Sequence, residues 1–213
     1  MDLREGLVYD PVVKRYDSSF WQGDTANLLM DTVRGAIKIG DTGLVGAASS
    51  FSQYLFGDIE FTMALDSTTP DSNDSERYIG LENKGDTLHR GMALFNFSYD
   101  TTAGDSSPNA RSFSLVQYDE QGNRQRKFVT WDTNWSGGAR LTRFRLRHES
   151  DGYVFLVNDT VIGVLGDRQG NATSQINTTI PQSIRLVNRS LDTTDSAPTA
   201  LKLLNIRNAR KVI

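Results

Sequence analysis

The segment GDIEFTMALD, residues 57–66, sets Asp58 and Glu60 two positions apart. In an extended chain alternate residues share a face, so these carboxylates would stand about 6–7 Å apart. Two acids facing one glycosidic bond are what a glycosidase needs as nucleophile and acid/base. The competing reading is a pair of solvated carboxylates on an outer strand face, the usual setting of charged side chains. Other catalytic chemistry is sparse. His89 and His148 are far apart and fall in no H-x-H or H-E-x-x-H frame. A packed or capping role suits His148 better than metal ligation. The sequence holds no G-x-S-x-G elbow and no G-x-x-x-x-G-K-[ST] loop.

Three clusters suit binding instead. Trp131 and Trp135 bracket TWDTNWSGG, with Tyr99 and Tyr118 in neighbouring loop or strand positions. Sugars lay their apolar C–H faces on aromatic rings while carboxylates and amides take the hydroxyls. Trp135, Asp132, Asn134 and Tyr99 therefore form a candidate carbohydrate site. The alternative is that the tryptophans cap the core at a sheet edge. The loop ALDSTTPDSNDSE offers Asp66, Asp71, Asp74 and Glu76. Hard oxygens on a loop suit calcium, but the spacing is not that of an EF-hand, and a solvated turn explains the same residues. No other cofactor is expected. Lastly, Arg143, Arg145 and Arg147 alternate along TRFRLRHE, and Arg185 and Arg189 alternate on a later segment. Guanidinium forks suit bidentate carboxylates and buried interfaces. These residues, Arg185 included, form a candidate interface to an acidic partner or a sugar acid. The bland alternative is an exposed face with weak cross-strand ion pairs.

These residues must be positioned by strands. Helical periodicity is nearly missing, its best candidate being TANLLMDTV at 25–33. Alternating or continuous β-rich runs recur near 35–39, 57–65, 77–83, 90–98, 111–119, 126–131, 140–148, 153–158, 160–165, 182–188 and 200–207. PDSND, DEQGN, DRQGN and DTTDSAP supply turn chemistry between them. Asp151-Gly152 and Asn158-Asp159 read as tight turns around YVFLV, a run apolar on both faces and so expected inside a covered sheet. Residues 1–34 are less regular and read as an arm or edge segment before a domain at 35–213.

The 213 residues suffice for a single core without staples, and cysteine is absent. A net charge of −3 favours neither nucleic acid nor a membrane surface as the bulk partner. The apolar runs are too short to span a bilayer, and MDLREGLVYDPVV has no h-region, so synthesis without a signal peptide is expected.

The order of elements resembles the concanavalin A-like lectins and glucanases, including laminin G-like modules and family 16 glycoside hydrolases. YLFGDIEFTMALD, LTRFRLRHESDGYVFLVNDTVIGVL, and TIPQSIRLVN with ALKLLNIRNARKV carry the resemblance, over roughly residues 35–212. It implies an all-β, concanavalin A-like jelly-roll β-sandwich of two antiparallel sheets. Family 16 enzymes bear an E-x-D-x-x-E pattern on the strand after the one at 77–83. Here that stretch is ALFNFSYDTTAG, without such a pair, and alginate-lyase signatures are missing too. The expectation is a protein that is not an enzyme. It would be a lectin-like surface or adhesion module of a larger assembly, most simply a phage-type virion component such as a capsid decoration or tail-associated protein. Its partners would be protein subunits and its place the virion or an extracellular surface. The alternatives are a soluble carbohydrate-binding lectin and a diverged glycoside hydrolase or polysaccharide lyase.

Overall fold

A computed structural model describes residues 7–9, 21–23, 28–31, 36–39, 42–46, 58–65, 75–82, 87–88, 91–97, 113–119, 121–135, 141–149, 152–166, 183–190 and 201–208. Fifteen strands make up nearly all of them: β1 Leu7–Tyr9, β2 Trp21–Gly23, β3 Leu28–Asp31, β4 Ala36–Ile39, β5 Thr42–Gly46, β6 Asp58–Leu65, β7 Ser75–Glu82, β8 Ala93–Asn96, β9 Ser114–Tyr118, β10 Arg124–Phe128, β11 Thr142–Glu149, β12 Gly152–Val157, β13 Thr160–Gly166, β14 Ser183–Ser190 and β15 Leu201–Asn208. They pair antiparallel in two sheets. The first runs β13-β12-β11-β6-β15-β4-β3, with β1 also on β15. The second runs β10-β9-β8-β7-β14-β5-β2. The short alternating runs imply a sandwich or barrel, and this is the jelly-roll sandwich that the family resemblance implies.

Alternation dictates the core. From the first sheet it takes Ile59, Phe61 and Met63, Phe144 and Leu146, and Tyr153, Phe155 and Val157. From the second it takes Ile79 and Leu81, Ala93 and Phe95, Leu115, and Ile184 and Leu186. Phe95 reaches across the gap and meets Phe144 and Phe155 edge-on, at 5.3 and 5.2 Å between ring centroids. Each such pair adds about 0.5–1.5 kcal/mol beyond the area it buries. The turn between β12 and β13 has Asn158 and Asp159 at φ 47° and 65°, the left-handed pair a two-residue hairpin needs.

YVFLV is covered on both faces. Tyr153, Phe155 and Val157 lie in the core, and Val154 and Leu156 on the other side are also buried, at 1% and 5% exposure. Register sets Leu156 beside Arg145 and Val154 beside Arg147. Long arginine stems shield such neighbours while their heads stay wet.

Two elements depart from expectation. TANLLMDTV holds no helix among its described residues: Leu28–Asp31 is β3, paired with β4. Four residues give one helical turn nothing to pack against, whereas a neighbouring strand supplies backbone partners at once. Strand β5 went unrecognised because TGLVG has two glycines among its five residues. Within residues 1–34, β1 pairs with β15, β2 with β5 and β3 with β4, so these stretches extend both sheets.

Candidate functional site

The second sheet turns Ile79, Leu81, Ala93, Phe95 and Leu115 inward. The intervening residues therefore face out, and register lines them up in rows. One row reads Arg126, Val116, Leu94, Gly80, Arg185 across β10, β9, β8, β7 and β14. Beside it runs Phe128, Ser114, Asn96, Tyr78, Val187. On the other side, Arg124 pairs with Tyr118, whose N–H donates to the Met92 carbonyl at 2.9 Å. Met92, Leu94 and Val116 form a small apolar cluster of their own, with Tyr78 and Tyr118 packed against it and partly exposed. The cluster itself is buried, at 4–5% exposure, and what shows at this face is the two rings with their hydroxyls.

Gly80 is required at the centre. A Cβ there would lie 2.1 Å from the Ala93 carbonyl oxygen and 2.8 Å from Leu94 Cδ2. The Leu94 side chain occupies the space that a larger residue would fill.

Polar groups are fixed at both ends of the central row. Arg185 donates from Nε to the Tyr78 hydroxyl at 3.2 Å and from Nη1 to Glu82 Oε1 at 2.8 Å. Burial would lower the Arg185 pKa, but the hydrogen bond and charge of Glu82, together with Tyr78, outweigh it and raise the pKa above its ordinary value. At the other end Arg126 donates from Nε to Ser114 Oγ at 3.0 Å, and its guanidinium lies 4.3 Å over the Phe128 ring. Such a stack fixes the fork while leaving it charged.

The residues singled out in the sequence lie elsewhere. Asp132, Asn134 and Trp135 do come together, in a single 3-10 turn over Thr133–Trp135. There Asp132 Oδ1 accepts from the Asn134 backbone N–H at 2.8 Å and from its Nδ2 at 2.9 Å. The Trp135 ring meets Phe113 edge-on at 5.7 Å and Trp131 at 5.2 Å. Both tryptophans pack on the end of the core. Tyr99 lies outside the described residues. So do Asp66, Asp71 and Asp74, while Glu76 is in β7, opposite Arg189. Among the described residues no group of three or more His, Cys, Asp or Glu could hold a metal ion. His89 is outside the described residues, and His148 lies in β11 opposite Tyr153.

The arginines divide between the sheets. Arg143, Arg145 and Arg147 belong to β11 in the first sheet, and Arg185 to β14 in the second. No one sheet holds all four. Like alternation on separate strands gives no information about which sheet each strand joins. Arg143 pairs with Asp159, and Arg147 with Glu149 at 2.9 Å. Register sets Arg145 opposite Glu60, and Glu60 opposite Arg207 on its other side. Glu60 is 1% exposed, so it is not the solvated carboxylate expected of an outer face.

The outward residues of the second sheet were missed, although Tyr118 was noticed. Two signals pointed to them: R-Y-I-G-L-E alternates ring, glycine and acid on one face, and GMALFNF is apolar on both faces. The second signal is the one that marked YVFLV as covered on two sides.

A scan against protein-family models and a search of curated proteins each return no match. Solved structures do match. The chain aligns with a family 16 endo-glucanase from Bacteroides ovatus at TM-score 0.57 and 8% identity, covering 94% of this chain and 99% of that one. A Bacillus licheniformis β-glucanase aligns at TM-score 0.61 and 13% identity, over 97% and 99% of the two chains. The laminarinase catalytic domain of Thermotoga maritima aligns at TM-score 0.58 and 11% identity, over 96% and 94%. The fold is therefore the concanavalin A-like jelly roll of these glycanases. The expectation that the chain is not an enzyme is corrected: the structures sharing its fold are named as endo-acting glucanases and a laminarinase, so the fold is one that carries enzymes. The expectation came from catalytic motifs missing along single stretches of the sequence. Register can also bring a carboxylate to a face from a neighbouring strand, as it does Glu82.

Proposed function

We propose that this protein acts on polysaccharide and takes an oligosaccharide across the outer face of the second sheet. The observation that supports this reading is the pair of partly exposed rings, Tyr78 and Tyr118, packed on the buried cluster of Met92, Leu94 and Val116 and flanked by hydrogen-bonded Arg126 and Arg185. Sugars bind where rings meet their C–H faces and fixed polar groups meet their hydroxyls. Glu82, held by Arg185, is a carboxylate suited to accept sugar hydroxyls. The glycanases with this fold support the choice of ligand. They also favour hydrolysis of the bound chain as the second reading. Membership of a larger assembly such as a virion rests on the composition and the N-terminal segment alone.

Affinity electrophoresis against soluble glycans, with Tyr78→Ala and Tyr118→Ala beside the parent, tests the site. Each variant should weaken retardation about tenfold, in line with roughly 1–1.5 kcal/mol for a ring contact. Unaltered retardation in both would place the sugar elsewhere. The same incubations, assayed for new reducing ends, test hydrolysis.

A further inference from the structure

The second sheet ends in an open strand. β10 pairs with β9, and among the described residues no other strand pairs with it. The hydrogen bonds show which way its backbone points. Val129 N–H donates to the Phe113 carbonyl at 2.8 Å, and Asp119 N–H to the Asn123 carbonyl at 3.1 Å. Hydrogen-bonded pairs alternate along an antiparallel ladder. Asn123, Gln125, Lys127 and Val129 therefore turn their N–H and C=O groups to β9, while Arg124 and Phe128 turn theirs away from it. An end strand of this kind is a template for a further strand.

The strand is held from its inner side. Gln125 Oε1 accepts from the Gly166 N–H of β13 at 2.9 Å. The Lys127 stem runs beside Gly163, where an added Cβ would lie 3.4 Å from Lys127 Cδ. The strand's own sequence is RQRKF, with basic residues at Arg124, Arg126 and Lys127 and no acid. The Arg126 fork is already engaged, by Ser114 Oγ and the Phe128 ring. Arg124 and Lys127 are exposed, and neither side chain has a hydrogen bond or ion pair among the described residues. Phe128 is 40% exposed. Arg124 and Phe128 share one face of the strand, and Lys127 stands on the other. A second copy of β10 laid along this edge would set cation against cation, which destabilises a pair of strands. A strand bearing carboxylates would be attracted on both faces.

We propose that the open edge of β10 takes up an extended acidic segment of a partner polypeptide as an added strand, its backbone pairing with Arg124 and Phe128 and its carboxylates meeting Arg124 and Lys127. Binding is measured on the full chain by fluorescence anisotropy with three labelled decapeptides: alternating glutamate and valine, alternating lysine and valine, and alternating glutamate and proline. At low salt the glutamate–valine peptide should bind about tenfold tighter than the other two, because lysine has the wrong charge and proline has no N–H for the ladder. Raised sodium chloride should weaken that binding. Arg124→Glu and Lys127→Glu should each weaken it about tenfold, through charge that now repels. Circular dichroism and urea midpoints confirm that both variants fold. Equal binding of the glutamate–proline peptide would show attraction by charge alone and overturns the inference. So does failure of the glutamate–valine peptide to bind. Dimers of the parent chain in light scattering, dissociated by Arg124→Glu, would assign the edge to a second copy and overturn it as well.

Discussion

Glu82 and Arg185 form a diagonal ion pair. Their backbones are not opposite one another: Glu82 faces Ser183, and Arg185 faces Gly80. The side chains nevertheless meet at 2.8 Å, with Glu82 nearly buried and Arg185 about one-third exposed. The missing side chain at Gly80 leaves Arg185 no neighbour directly across the ladder, and the guanidinium is drawn to the acid one step along.

Breaking this pair from one side should cost more than removing it whole. Glu82→Gln or Arg185→Gln alone should lower stability by about 1–2 kcal/mol, a buried-pair cost discounted for the exposure of Arg185. The double variant should lose less than the sum of the singles. Urea midpoints at constant slope measure both, and additive losses would show that the two side chains act independently.

The charge at this end of the row is insensitive to pH over a wide range. A group whose folded pKa is raised contributes stability that is complete below its unfolded pKa and lost only as pH rises through the folded value. For Arg185 that window lies far into alkali. The contribution of Arg185 to stability should therefore hold level between about pH 6 and pH 10. Urea midpoints of the parent and of Arg185→Gln that converge within that interval would show that the guanidinium titrates there.

Glycines of the two sheets should differ sharply in tolerance. Gly80→Ala drives a Cβ against the Ala93 carbonyl, a rigid backbone atom of the next strand, and should cost about 3 kcal/mol or prevent folding. Gly163→Ala meets first the Leu115 Cδ1 methyl at 2.4 Å, an atom of a buried side chain that must repack and not a backbone atom. It should cost about 1 kcal/mol. Thermal melts of the two variants give the comparison directly.

Trp135 should report on stability and not on sugar. Its ring lies edge-on to Phe113 and Trp131 and packs on the core. Trp135→Ala should destabilise by about 2–3 kcal/mol with glycan affinity within twofold of the parent. The reverse pattern, affinity lost at unchanged stability, would return the site to this turn.

Two carboxylate settings on the first sheet should also part company. Glu60 is buried between Arg145 and Arg207 in register, and Glu60→Ala should cost about 3 kcal/mol. Arg143 and Asp159 pair at side-chain exposures of 41% and 56%, and Arg143→Ala should cost less than about 1 kcal/mol. Equilibrium denaturation distinguishes them.

The sequence by itself determined the alternation, and with it an all-β fold of stacked or closed sheets. Phe144 and Leu146 had to face in because Arg143, Arg145 and Arg147 had to face out. Asn158-Asp159 had to turn because few other pairs accept two positive φ angles. YVFLV had to be covered twice because both its faces are apolar. Period-2 patterning is local, so it is legible along the chain. Which strands lie side by side is not local. Arg126 and Arg185 are far apart in sequence, yet three intervening strands bring them into one row with Val116, Leu94 and Gly80. The same pairing places Arg185 in the sheet opposite to the arginines of β11 and buries Glu60 at a position in register with Arg145 and Arg207. Only the order and register of the strands decided these neighbours, because backbone hydrogen bonds pair residues without regard to their distance along the chain.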